Sequence, residues 1–133
     1  MNLPATGPSP IVALVLGWII PGAGHAYAGR WGKAVLFFVC ITGLLVAGMV
    51  MGGGTVVRYR ELWILAQGGA GGPAFAMIPI SEYFAKSGVD WASRLHETGT
   101  LYTAVAGFLN ILVMMDAYLK LAYPHAGTEK EAE

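Results

Sequence analysis

Charged residues divide the chain into four long windows that contain none. No Lys, Arg, Asp or Glu occurs in residues 1–29, 34–57, 62–81 or 98–115. A charged side chain at the centre of a bilayer costs about 3 kcal/mol or more, so a polytopic membrane protein keeps its charges between its apolar segments. The pattern predicts an all-α integral membrane protein: a helical hairpin plus further membrane helices, with three or four membrane-embedded helices in total.

The lengths of these windows set the predicted elements. A membrane-spanning helix needs about 20 apolar residues, and the window 34–57 exceeds that length without interruption. We predict a single helical membrane domain over residues 11–123, preceded by a disordered entry at 1–10 and followed by a polar tail at 124–133. The predicted helices cover about 11–21, 33–53, 61–80 with a break, and 97–122.

The first apolar run, residues 11–20, is about half as long as a bilayer span requires. Pro21 and the glycines Gly22 and Gly24 follow it directly. The helix could bend at Pro21 and continue to residue 28, or it could stop and return as a re-entrant hairpin. We favour a short first helix that ends near the glycines.

The third window is interrupted twice. A glycine-rich run at 68–73 ends in Pro73, and Pro79 follows within the second half. Irregular backbone at membrane depth has to be covered by protein or line a cavity. The window is either a broken spanning helix or two short segments folded against the other helices, and we favour the broken span.

Small residues recur at helical spacing in the second and fourth windows. Gly48 and Gly52 are four residues apart, and so are the successive members of the series Gly99, Thr103 and Gly107. In lipid, small side chains at this spacing allow helix backbones to approach closely. We predict that both sets pack against neighbouring helices.

The longest polar stretch, residues 82–97, contains charges of alternating sign at a four-residue spacing: Glu82, Lys86, Asp90 and Arg94. Opposite charges at this spacing pair along one face of a helix. We predict an amphipathic segment at the membrane surface, which Gly88 could interrupt.

Composition agrees with a lipid environment. Hydrophobic residues make up 56% of the 133-residue chain and charged residues only 12%, whereas soluble domains carry about a quarter. Eight basic residues balance eight acidic ones, so the chain has no basic field with which to bind nucleic acid. The expected partners are the lipid bilayer and, through helix contacts, other membrane proteins or further copies of the chain.

Three polar residues lie within or beside the uncharged windows: His25, Asn110 and Asp116. Asp116 is near the end of the last helix, where it could pair with Arg30, Lys33 or His25. Intramembrane acids indicate functional sites by default. We nevertheless favour a structural ion pair or hydrogen bond for Asp116, and an interhelical hydrogen bond for Asn110.

The sequence contains no recognisable catalytic or cofactor motif. His25 stands alone, whereas a catalytic zinc needs three protein ligands, and Cys40 is the only cysteine. No nucleophile elbow, zinc-protease motif or phosphate-binding loop is present. We predict no catalytic residue, no metal, no cofactor and no enzymatic activity.

The glycine turn resembles the signature of the two-transmembrane (TM-two) domain family, in the run Pro21-Gly22-Ala23-Gly24-His25-Ala26-Tyr27-Ala28-Gly29-Arg30-Trp31-Gly32-Lys33. That family joins two helices through a glycine turn with a histidine, a tyrosine, a glycine and a basic residue. An aspartate near the end of a later helix completes the signature. By this resemblance Asp116 is that aspartate. The chain departs from the family at Ala26, where a phenylalanine is usual, and in the long separation of Arg30 from Asp116.

The whole chain is more similar to a related, uncharacterised family of small bacterial membrane proteins, a domain of unknown function. That family has the same glycine-histidine turn, a glycine-rich middle and a similar last helix around Asn110 and Asp116. The resemblance implies a helical fold and a multi-pass location in the bacterial inner membrane. It implies no activity.

The leading expectation for function is a non-enzymatic accessory, structural or scaffolding component that acts through helix–helix contacts. The alternative is a small oligomeric transporter or channel for an ion or small solute, because transporters place ligands at discontinuous helices such as the segment 68–79. Orientation stays open, since with four spans the eight basic residues fall four on each side and the positive-inside rule gives no answer.

Overall fold

The computed structural model describes residues 7–57, 62–86, 88 and 94–124, and within them the fold is all-helical. This confirms the predicted fold class. The helices are α1 (Pro10–Ile19), α2 (Ala23–Tyr27), α3 (Trp31–Met51), α4 (Ile64–Gln67), α5 (Gly72–Ala85) and α6 (Arg94–Ala122), with a 3₁₀ turn at Gly68–Ala70. Most of the predicted disordered entry and nearly all of the predicted tail lie outside the described residues.

Two long antiparallel helices, α3 and α6, form the frame of the molecule. α3 has 21 residues with a mean hydropathy of 2.6 and α6 has 29 with 1.5, so both are long and apolar enough to cross a membrane. Gly48 near the end of α3 packs against Gly99 near the start of α6. We call the two ends of this frame the Asp116 end and the His96 end, after residues of α6.

The first apolar run forms a hairpin that enters the frame from the Asp116 end and returns to it. α1 begins with a proline, which suits the first position of a helix because no N–H is needed there. After the turn at Pro21, α2 runs back beside α1, so that the Tyr27 hydroxyl accepts a hydrogen bond from the Ser9 N–H at 3.4 Å. The chain therefore turns back after its first helix, as a hairpin does, and that helix ends at Ile19 just before the turn.

The third window forms a second hairpin, which enters from the His96 end. α4 lies beside the Thr103 region of α6, and the 3₁₀ turn reaches Gly107 near the middle of that helix. α5 then returns, because its Ser81 hydroxyl accepts a hydrogen bond from the Val57 N–H at the His96 end. The chain therefore turns back near Gly71 and does not continue in one direction as the favoured broken span does, because α4 and the end of α5 both lie toward the His96 end.

The predicted surface ladder is not one helix face. α5 ends at Ala85 and α6 begins at Arg94, so Glu82 and Arg94 lie on different helices. Gly88 between them has φ +80°, a left-handed conformation that ends a helix. Asp90 lies outside the described residues.

Candidate functional site

The glycine turn is built by backbone that approaches other backbone closely. Gly22 has φ +83°, and a Cβ on it would collide with the carbonyl oxygen of Ala34 on α3. A Cβ on Gly24 would likewise collide with the carbonyl oxygen of Ala13 on α1 and press on Ala117 of α6. The two glycines thus let α2 lie against three helices at once.

The turn ends in a left-handed glycine cap. Gly29, with φ +76°, donates its N–H to the Ala26 carbonyl at 3.0 Å, and Arg30 donates its N–H to the His25 carbonyl at 2.8 Å. This pair of bonds is the Schellman arrangement, which satisfies the last carbonyls of a helix. The cap directs the chain from α2 into α3 immediately after Arg30.

His25 is buried by α2, α3 and α6 and is in contact with Asp116. Its side chain is 1% exposed, its ring packs edge-on against Phe37 at 5.1 Å, and its Nε2 lies 2.9 Å from Asp116 Oδ2. A carboxylate only accepts hydrogen bonds, so Nε2 carries the proton in this pair. His25 Nδ1 has no hydrogen-bond partner in the structure.

Asp116 has a second partner in Lys120, whose Nζ lies 2.7 Å from the same Oδ2. Of the three partners that the sequence left open, His25 is the one in contact. Arg30 and Lys33 form no ion pair with Asp116 in the described part of the chain. The His25–Asp116 contact joins α2 to the last helix across 91 residues of sequence.

Asn110 bonds α6 to both hairpins. It is fully buried, and its Nδ2 donates to the Gly17 carbonyl at 3.1 Å and to the Gly69 carbonyl at 2.9 Å. In a continuing helix the Gly17 carbonyl would accept the N–H of residue 21, but that residue is Pro21, which has none. Asn110 therefore supplies the donor that the proline removes.

The tips of the two hairpins meet beside Asn110, and we call this contact the hairpin junction. Trp18 Nε1 donates to the Gly68 carbonyl at 3.1 Å. A Cβ on Gly71 or Gly72 would collide with the carbonyl oxygens at the end of α1. The C-terminal end of α1 thus abuts the N-terminal end of α5.

Gln67 is a buried polar residue that sequence reasoning missed. It is fully buried, and its Nε2 donates to the Val56 carbonyl at 2.9 Å and to Thr103 Oγ1 at 2.7 Å. The amide oxygens of Gln67 and Asn110 have no hydrogen-bond partner in the structure. An amide inside an uncharged window, directly before a glycine run, is the signal that would have found it.

The small-residue stripe of α6 packs on two different elements. Gly99 lies against the backbone of Gly48 and Gly52 on α3. A Cβ on Gly107 would collide with the carbonyl oxygen of Ala66 on α4. Thr103 between them donates to the Thr100 carbonyl at 2.9 Å and accepts from Gln67.

His96 is a second buried histidine, at the opposite end from His25, and the sequence did not single it out. Its Nδ1 lies 3.3 Å from Thr55 Oγ1, which also bonds the Gly52 carbonyl at 2.9 Å. A cavity of about 360 Å³ opens beside it, lined by Trp63, His96, Glu97, Thr100 and Leu101. Within the ranges that the structure describes, no three His, Cys, Asp or Glu side chains are grouped so that they could hold a metal.

Comparison with known protein families matches most of the chain to a family model. The model of a family of unknown function, DUF6677, matches residues 12–130. No curated protein and no solved structure matches the chain.

Proposed function

The chain belongs to the DUF6677 family of unknown function, and we propose that it is a multi-pass protein of the bacterial inner membrane. On this proposal it catalyses no reaction and acts as an accessory or scaffolding component through contacts of its helices within the bilayer. The likeness of residues 21–33 to the TM-two signature supports this location. The polarity of the bundle is the observation that carries the proposal.

The bundle is polar inside and apolar outside. His25, Gln67, Thr103 and Asn110 are buried and hydrogen-bonded inside it. Large apolar side chains cover its exterior, among them Val35, Leu36, Val39, Val50, Leu101, Val105, Phe108 and Leu112. Contiguous apolar surface of this extent is unusual on a soluble monomer but matches lipid or a partner helix.

The length of α6 between its polar ends fits a bilayer. His96 and Asp116 are 20 residues apart on one helix, which corresponds to about 30 Å, the thickness of the hydrocarbon core. Irregular backbone within the hydrocarbon core of a bilayer has to be covered by protein. In this bundle α6 and α3 cover the irregular backbone of the two hairpins. Burial by protein at the hairpin junction thus supports embedding of the whole bundle.

The outward faces of α3 and α6 are the surfaces that a membrane partner or a second copy would touch. Val39 on α3 is 60% exposed and Leu112 on α6 is 65% exposed. A photoreactive amino acid at either position, activated in native membranes, should give a protein adduct of one defined mass. Ile41 on the inward face of α3 is the matched control and should give none, because it is fully buried.

The mass of the adduct distinguishes the two kinds of partner. A product of twice the chain mass indicates self-association, and another discrete mass indicates a different membrane protein, to be identified by mass spectrometry. Lipid adducts alone at Val39, Leu112 and other exposed positions around both helices would contradict the accessory role.

A transport function is the second candidate, and the hairpin junction favours it. Transporters place substrates and ions where half-helix ends meet near the middle of the bilayer. The ends of α1 and α5 meet in this way, and the buried amide oxygens of Asn110 and Gln67 have no hydrogen-bond partner there. Ion or solute flux into liposomes that contain the pure protein tests this, and Asp116→Asn should abolish any ion-coupled flux.

A further inference from the structure

Three basic side chains converge at the Asp116 end of the bundle. Arg30 immediately precedes α3, Lys33 lies in its first turn, and Lys120 lies in the last turn of α6. Lys120 contacts Asp116, which contacts His25 of α2, and Gly22 just before α2 packs against Ala34 next to Lys33. The first turn of α3 and the last turn of α6 therefore meet, and Lys33 interacts with both Lys120 and Arg30. We call these three residues the basic cluster.

The basic cluster carries more positive charge than the neighbouring carboxylate neutralises. Asp116 is already shared, since its Oδ2 contacts both Lys120 at 2.7 Å and His25 at 2.9 Å. Arg30 and Lys33 form no ion pair with any residue in the described ranges. Because neighbouring ammonium groups repel each other, an anion that contacts both lysines is bound favourably.

We infer that the basic cluster binds the phosphate headgroup of an anionic phospholipid. Trp31 and Tyr27, at the same end of the bundle, are 68% and 41% exposed, as aromatic side chains at headgroup level are. Leu36, one turn further along α3 from Lys33, is exposed and apolar. A bound anion at the cluster therefore has apolar protein surface directly below it, which suits the acyl chains of a lipid and not a soluble phosphate.

Among the residues that the structure describes, the opposite end of the bundle has no comparable surplus of positive charge. Its described charged residues are Glu82, Lys86, Arg94 and Glu97, two of each sign. Basic pockets beside membrane helices bind anionic headgroups, and each cation near the surface contributes about 1 kcal/mol, or about fivefold in affinity. Lys86 and Arg94 therefore provide a matched pair of control positions.

The inference rests on the proposed embedding in a membrane. Two separate measurements therefore test the embedding and the binding of the headgroup. The full chain is first reconstituted into vesicles of phosphatidylcholine alone, where flotation with the vesicles tests embedding. Phosphatidylglycerol, phosphatidylcholine or inorganic phosphate is then added to the protein in neutral detergent. Retained lipid is measured by native mass spectrometry, and the melting temperature is measured in parallel.

We expect phosphatidylglycerol to bind and to raise the melting temperature, while phosphatidylcholine and inorganic phosphate do neither. The double variant Arg30→Gln/Lys33→Gln should bind phosphatidylglycerol about 25-fold more weakly, with the Asp116–Lys120 pair intact. Lys86→Gln/Arg94→Gln should bind it as the unaltered chain does. Equal binding of both lipids, equal losses in both double variants, or a full response to inorganic phosphate would each overturn the inference, even if the protein floats with the vesicles.

Discussion

At the scale of single residues, the fold depends on buried polar groups that repair breaks in the backbone. Asn110 donates to one carbonyl of each hairpin, and one of them, that of Gly17, has lost its helical partner to Pro21. An unsatisfied carbonyl in a dry interior costs about 1–3 kcal/mol. One amide side chain thus stabilises two interruptions that lie far apart in sequence.

Replacement of Asn110 by leucine tests this role. Asn110→Leu keeps an uncharged side chain of similar size but removes both donated bonds, so we expect it to lower the free energy of unfolding by about 1–3 kcal/mol. The measurement is reversible unfolding in detergent. Leu112→Ala, an exposed change on the same helix, should cost much less, and an equal cost for the two would contradict the role.

The contact between His25 and Asp116 should appear as an energetic coupling. In a double-mutant cycle with His25→Ala and Asp116→Ala, we expect a coupling of about 0.5–3 kcal/mol, because loss of Asp116 leaves the N–H of the buried His25 ring without its acceptor. The same cycle with Lys120→Ala should give about 0.5 kcal/mol or less, since that pair is a half-exposed contact four residues apart. A His25–Asp116 coupling no larger than this control would show that the pair does not fasten the turn.

Sequence reasoning found some of these residues and missed others for a simple reason. His25, Asn110 and Asp116 stand out because they are polar in apolar surroundings. Their partners do not stand out, since the His25–Asp116 contact spans 91 residues and Asn110 bonds backbone carbonyls that carry no sequence signal. Gln67 is polar in apolar surroundings, as Asn110 is. The glycine run that follows Gln67 is the stronger local signal, and it indicates only a break in the helix.

At the scale of elements, glycines decide how closely α6 approaches its neighbours. Gly107→Ala should lower the free energy of unfolding by about 1–3 kcal/mol, because its Cβ would meet the Ala66 carbonyl and push α4 away. Gly43→Ala on α3 is the matched control, since nothing lies within 4 Å of its added Cβ. Unfolding in detergent of the two variants side by side gives the comparison, and equal stability would show that the close contact is not required.

The two long helices were predictable from the sequence and the courses of the hairpins were not. Windows 34–57 and 98–115 are uninterrupted and apolar, and α3 and α6 occupy them. Hydropathy also marks the breaks at Pro21 and at 68–73, but it carries no information on whether the chain continues or turns back. That choice is made by distant contacts, such as Gly71 against the end of α1 and Ser81 against Val57.

At the scale of the whole molecule, the two hairpins decide which loops would share a side of the membrane in the proposed embedding. A four-span arrangement puts Lys33 and Lys86 on the same side of the membrane. The structure puts them at opposite ends of the bundle, because α1 and α2 return to the end at which they began, and α3 crosses once. Ser9 and Lys120 line one cavity, so both ends of the described chain lie on the same side.

Single-cysteine labelling distinguishes these arrangements. In a Cys40→Ala background, Gly32→Cys and Lys86→Cys place one exposed thiol at each end of the bundle. We expect a membrane-impermeant thiol reagent to label one variant in sealed vesicles and the other only after the membrane is opened. Labelling of both from the same side would contradict the hairpin arrangement, and the Cys40→Ala chain alone should stay unlabelled.

The abutting ends of α1 and α5 also constrain how the protein is made. With 10 and 14 residues, neither segment is long enough to be inserted as a spanning helix when it leaves the ribosome. Each is held in place by α6, which follows both of them in the sequence. If the bundle is embedded as proposed, we therefore expect both hairpins to reach their final positions only after α6 has been synthesised.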